Sequence, residues 1–157
     1  MEGVVHIASY ISKRYEQTFG EPVGEMKLHK LLYFSQRECF VQLGEPMFPE
    51  MFEAWRYGPV MVEIRQLFKY GRLCNYPKEQ DVEKYVKVFD KVFSSYAPKD
   101  AWSLSALTHG EYSWSHARKL AGVGTYDLCN YKIQTSDIAI DADRIKTRRF
   151  LLKALCV

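Results

Sequence analysis

The stretch KLHKLLYFSQRECFVQL, residues 27–43, decides the fold. At 3.6 residues per turn, Leu28, Leu31, Leu32, Ser35, Cys39 and Leu43 fall on one stripe, and Tyr33, Phe34 and Phe40 widen it round most of the circumference. A helix that is apolar on so many sides must be covered on as many, so this one is predicted at the centre of a domain.

On its N-terminal side, Val4, Ile7, Ala8, Ile11 and Tyr15 recur at helical spacing, and Gly20, Pro22 and Gly24 end that first helix. On its C-terminal side, the two prolines of GEPMFPE make residues 44–50 a loop. FEAWRYGPV follows at 52–60, and on one regular helix Trp55, Arg56 and Tyr57 would point three ways, so an extended segment is predicted near residues 52–57. Phe52, Ala54 and Arg56 then face one side and Glu53, Trp55 and Tyr57 the other, with Gly58 permitting a turn and Pro59 opening the next helix.

Val60, Ile64, Leu67 and Phe68 mark that helix, which stops at Gly71, and residues 72–80 read as a loop. With Asp81 as N-cap, Val82, Tyr85, Val86, Phe89, Phe93 and Tyr96 line one face of a further helix ending before Pro98. Residues 100–122 predict two short helices broken at Gly110, the second capped by Ser113 and closed by Gly122. Residues 141–157 are helical in propensity, with Ile145, Leu152 and Leu155 as the inner edge. The expectation is a mainly α fold: a single globular domain over residues 1–157, about six helices, and at most a short extended or β segment.

Composition agrees with a packed globule: of 157 residues, 47% are hydrophobic and 15% aromatic. The 11 tyrosines and three tryptophans exceed what a small core needs, and their apolar bodies and polar tips suit interfaces. Twenty-two basic residues against 19 acidic ones give a net charge of +3, far from the field of a dedicated nucleic-acid binder. The one basic cluster, RIKTRR at 144–149, lacks interleaved aromatics and reads as a solvated helix face.

Signals for chemistry are sparse. Cys39, Cys74, Cys129 and Cys156 form no C-x-x-C pair and His6, His29, His109 and His116 no metal-ligand spacing, so neither a metal nor a cofactor is expected. GVGTYD, residues 122–127, lacks the strand and helix of a phosphate loop and reads as an ordinary turn. Cys39 is expected to be an inert core thiol, and His29 a structural histidine to which no carboxylate can be assigned. No apolar run approaches a membrane span and no targeting segment is evident, so a cytosolic protein with no membrane partner is expected.

Three blocks together resemble one family. MKLHKLLYFSQ at 26–36, PMFPEMFEAWRYGPVMVEI at 46–64 and LSALTHGEYSWSHAR at 104–118 are similar, in order and spacing, to the motifs of SocA-like antitoxins, whose domain is also called Panacea. His29 stands where the family often has Gln and Ser35 where it often has Ala, and residues after 122 match weakly.

The resemblance implies a non-enzymatic antitoxin that binds and neutralises a protein toxin encoded by an adjacent gene. Such toxins are chemically diverse, and in part of the family the antitoxin is thought to deliver its toxin to a protease. Among motif residues, Trp55, Arg56 and Tyr57 are of types that dominate binding hot spots and form the candidate partner-binding group. Lys27, Leu28, Lys30, Leu31, Leu32, Tyr33, Gly58, Pro59, Thr108, His109, Trp114 and Arg118 are assigned to the scaffold. A motif shared across unlike toxins is poorly suited to select one, so toxin-selecting surface is sought in residues 72–80, the exposed face of 81–96, and 123–157.

Two rivals keep their own signatures. A DNA-binding autoregulator would use Lys146, Arg148 and Arg149, and an enzyme would bring His29, His109 or His116 to a carboxylate or thiol in a pocket.

Overall fold

The computed structural model of the protein describes residues 3–156. The long apolar stretch forms α2 (Glu25–Leu43), and every residue from Leu28 to Cys39 is buried. Helices α1 (Gly3–Phe19), α3 (Val62–Lys69), α5 (Val86–Ser95), α6 (Ala101–His109) and α8 (Thr135–Leu155) pack round it. So does a hairpin of β1 (Glu53–Trp55) and β2 (Gly58–Val60). Burial of Leu28, Leu31, Leu32 and Phe34 contributes about 2 kcal/mol each. Leu43 departs from the expected stripe: it is exposed at the helix end, just before Gly44 closes the helix at φ +70.

Encirclement forces polar residues of α2 inside as well, and each fastens a different element. Gln36 accepts from Met47 N–H at 2.7 Å and donates to the Phe48 carbonyl at 2.8 Å, fixing the Pro-rich loop. Glu38 receives both terminal nitrogens of Arg149 at 2.8 Å, tying α8 down. Arg37 meets Glu111 and the Tyr96 hydroxyl, and the Tyr33 hydroxyl lies 2.7 Å from Ser113 Oγ.

Among the described residues there are eight helices where about six were expected. One addition comes from the predicted 81–96 helix, which is two: α4 (Glu79–Glu83) and α5, separated at Lys84 and Tyr85. Asp81 lies inside α4, whose N-cap is Lys78. The break keeps Val82 and Tyr85 inside while turning Val88 and Val92 inward, and Val86, expected inside, is exposed.

Pro59 does not open a helix. It sits in β2, paired antiparallel with Ala54, and α3 begins at Val62. Proline is tolerated there because β2 is an edge: residues 131–133 bind the other side of β1, through Ala54 N–H to the Tyr131 carbonyl and Ile133 N–H to the Phe52 carbonyl.

Ser113 is not the cap of α7 (Tyr112–Leu120); the residue at that position is Glu111. The capping carboxylate comes from another helix. Asp141 of α8 accepts the N–H groups of Tyr112 and Ser113, each at 2.8 Å. The inner edge of α8 is also different from that expected: Ile138, Asp141 and Ala142 are buried, whereas Leu152 and Leu155 are exposed. At 1.5 Å per residue the helix outruns the core it packs on, and the Arg149–Glu38 pair is its last buried tie. No helix among the described residues is long and apolar enough to cross a membrane.

Candidate functional site

The three sequence blocks converge on the hairpin, where side chains from α2, α6 and α7 hold its backbone. Trp114 donates its indole N–H to the Trp55 carbonyl at 2.8 Å, and Arg118 donates to the Ala54 carbonyl at 2.8 Å. Ser105 donates to the Tyr57 carbonyl at 2.7 Å, and Lys30 reaches the Pro59 carbonyl at 3.2 Å. Met61 N–H, just past β2, donates to His29 Nδ1 at 3.2 Å. Arg118 also binds the carbonyls of Gly124 at 2.7 Å and Asp127 at 2.6 Å, so GVGTYD is a turn folded round one guanidinium.

Gly58 shows how closely these parts meet. Its φ is +109, and a Cβ there would lie 2.4 Å from Thr108 Oγ1 and 2.8 Å from Lys30 Cε. Thr108 is buried, and His109 stacks on Trp114 with centroids 4.2 Å apart. Leu28, Leu31, Leu32 and Tyr33 lie in the core; Lys27 is half-buried, donating to the Tyr15 hydroxyl and the Ala97 carbonyl.

Held in this way, the hairpin turn presents Trp55, Arg56 and Tyr57 together. Trp55 is half-buried, its indole N–H on Glu53 Oε2 at 2.7 Å and the Arg65 guanidinium 5.2 Å from its ring centre. Tyr57 is 40% exposed and meets Trp102 edge to face at 5.3 Å, with Arg56 over its ring. Trp102, 62% exposed, is absent from the sequence-based assignment; Trp in the first turn of α6 with no apolar stripe through it was the available signal.

Behind Trp55 lies a cavity of about 440 Å³, lined by His29, Lys30, Trp55, Arg56, Arg65 and Leu128 among others. Lys30 is 1% exposed and has no carboxylate partner; burial brings its ammonium down to a pKa of about 7. Burial, helped by the charges of Lys30 and Arg65, brings His29 down to about 3. Because His29 Nδ1 accepts from Met61, the neutral ring carries its proton on Nε2, a buried atom that makes no hydrogen bond. Glu25 Oε1 lies 3.5 Å from that nitrogen, the carboxylate neighbour that sequence did not assign, and is itself held by Arg65 at 2.8 Å. With its lone pair engaged, His29 has none free to act as a general base.

Of the other histidines, His116 pairs with Asp137 at 2.8 Å between α7 and α8, and His109 stacks on Trp114 with its buried Nε2 making no hydrogen bond. Burial pushes the Cys39 thiol up to about 12, in keeping with an inert core group. In the basic cluster, Arg149 is bound to Glu38 and Arg144 lies over the Tyr112 ring, leaving Lys146 and Arg148 exposed. No group of three or more metal-ligating side chains occurs among the described residues.

A helical shell round one buried helix, with a clamped aromatic hairpin at its surface, is thus the arrangement those motifs build. The family described as Antitoxin SocA-like, Panacea domain matches residues 28–115, more than half of the chain, and the protein belongs to that family. Over 47 residues it is 38% identical to Antitoxin SocA of Caulobacter vibrioides (strain NA1000 / CB15N), a match covering 30% of this chain and 25% of that protein. The chain thus spans about a quarter of that relative's length. No solved structure matches it.

Proposed function

We propose that the protein is a non-enzymatic, cytosolic antitoxin that neutralises a protein toxin by binding it directly, with the distal half of α8 as the docking surface. The observation that carries this is the exposed apolar end of α8. Phe150 and Leu155 are 72% and 82% exposed, with Leu151 and Leu152 more than half exposed beside them. Neighbouring apolar side chains left in water are a signature of a protein contact. They also lie outside the family match, which ends at residue 115, so they are free to suit one toxin while the matched region builds a common scaffold.

We extend the antitoxin unit to residues 1–157, because α1 and α8 flank the matched region and both pack on α2. The engagement of Arg149 by Glu38 supports a protein partner over DNA, since it withdraws one of three cations from phosphate.

The test is co-expression with the product of the adjacent gene, one partner tagged, beside a growth assay of that gene alone. Growth arrest relieved by this chain, with a complex that co-purifies, is the expected result. No arrest and no complex would sink the reading. A tagged protease-deficient host separates the two modes of neutralisation: relief that persists there reflects binding alone, and relief that disappears reflects delivery to the protease.

A further inference from the structure

We propose that the cavity between α2, the hairpin and α3 is a binding site for a carboxylate carried on a flat apolar body, with Lys30 supplying the counter-charge. Two buried donors at its wall are incompletely satisfied, and the nearest carboxylate, Glu25 Oε1, stands 3.5 Å from one of them, His29 Nε2. The Lys30 ammonium has three N–H groups and a hydrogen bond to the Pro59 carbonyl, and His29 Nε2–H has no hydrogen-bond partner. Two such neighbours ask for a group that only accepts, and an ionised carboxylate has two oxygens to give.

The charge balance points the same way. Glu25 is bound by Arg65, so Lys30 and Arg56 remain uncompensated among the lining side chains. Trp55 gives the cavity a flat wall, and Val60, Met26 and Leu128 add apolar surface. The volume, about 440 Å³, lies within the range of small-ligand sites, roughly 300–1,000 Å³. A bound carboxylate supplies what the fold leaves out: an anion beside an otherwise unpaired buried cation.

The carboxylate has two sources, a free small acid or the end of a polypeptide, and two probes separate them. Phenylacetate serves as the free acid and acetyl-Gly-Phe, with its C-terminal carboxylate, as the chain end. Each is titrated into the full chain by calorimetry, while the Trp55 indole N–H resonance is followed by NMR. The expected result is saturable binding of at least one probe with a shift of that resonance, and at least tenfold weaker binding by Lys30→Met. Phenylacetamide, the neutral analogue, is expected to bind at least tenfold more weakly than the acid.

Arg56→Gln, at a half-buried position on the turn, is a second variant that leaves the core intact, and it is expected to weaken binding several-fold. Binding by the free acid alone assigns a metabolite site; binding by the peptide alone assigns a site for a chain terminus. Saturation by neither probe, equal binding of the amide, or undiminished affinity in a folded Lys30→Met protein overturns the proposal. The site stands apart from the α8 surface, so loss of toxin binding bears on neither result.

Discussion

Lys30 carries a positive charge in the core without a neutralising carboxylate, and its pKa of about 7 makes the cost depend on pH. The folded value lies below the ordinary one of 10.5, so between about 7 and 10.5 the unfolded chain binds the proton more tightly and stability rises with pH. Below 7 both states are protonated and the full penalty remains. Lys30→Met should therefore raise the thermal midpoint at pH 6, and that advantage should shrink between pH 7 and 10 as the parent lysine loses its charge. Parallel melting curves at pH 6, 8 and 10 check this, and a difference that does not change with pH would show that Lys30 has no depressed pKa. Gly58 is constrained differently, by its left-handed backbone and by the Thr108 hydroxyl 2.4 Å from where a Cβ would stand. Gly58→Ala is expected to cost about 2 kcal/mol or more in urea unfolding, the sum of backbone strain and a displaced neighbour.

At the scale of elements, the notable joint is the one between α7 and α8. Asp141 caps the first turn of α7 from α8, so its removal strips two N–H groups of their acceptor and loosens the contact between the helices. Asp141→Ala should cost about 2 kcal/mol, the upper end for a lost cap, and should speed amide exchange at Tyr112 and Ser113 far more than in α1. Exchange that stays as slow as in the parent would mean that the cap is not what orders this turn. The same joint shows what sequence conveys. The periodicity of α1 and α2, the stops at Gly20, Gly44 and Gly71, and the extended character of residues 53–55 are local properties, legible from side-chain spacing. Arg56 and Tyr57, expected to continue the extended segment as far as a turn at Gly58, instead form the turn themselves, and Gly58 begins β2. The capping of α7 is not legible from spacing, because its acceptor lies 28 residues beyond Ser113 in sequence and is recruited only by packing. Ser113 looked like a cap by residue type, but it is buried and directed toward Tyr33. The α4–α5 break and the exposed face of Val86 were hidden for a related reason: an apolar stripe of the right spacing fits a continuous helix as well as a broken one.

Across the whole molecule, the motif residues divide into those that build and those that face solvent. Lys30, Trp114 and Arg118 were readable as a set from the three sequence blocks, but their joint purpose, holding the carbonyls of one hairpin, was not. Backbone acceptors leave no trace in side-chain pattern. The meeting of Trp102 with Tyr57 and the cavity behind Trp55 were likewise invisible, since each depends on elements far apart in the chain. The division between scaffold and docking surface yields a paired prediction. Trp114 is buried and donates to the Trp55 carbonyl, so Trp114→Ala should lower stability by about 3 to 5 kcal/mol and reduce soluble yield. Leu151→Ser with Leu155→Ser changes two exposed positions beyond the last buried tie of α8, so stability should shift by no more than about 0.5 kcal/mol per site. If toxin docks there, the same double variant should weaken the complex at least about tenfold and fail to restore growth in cells expressing the toxin. Trp55→Ala is the internal control: a hot spot at the hairpin would lose at least about 2 kcal/mol of binding with the fold retained, whereas a scaffold role shows as a lower thermal midpoint. Full rescue by the folded α8 double variant, together with loss of rescue by a folded Trp55→Ala protein, would move the docking surface from α8 to the hairpin.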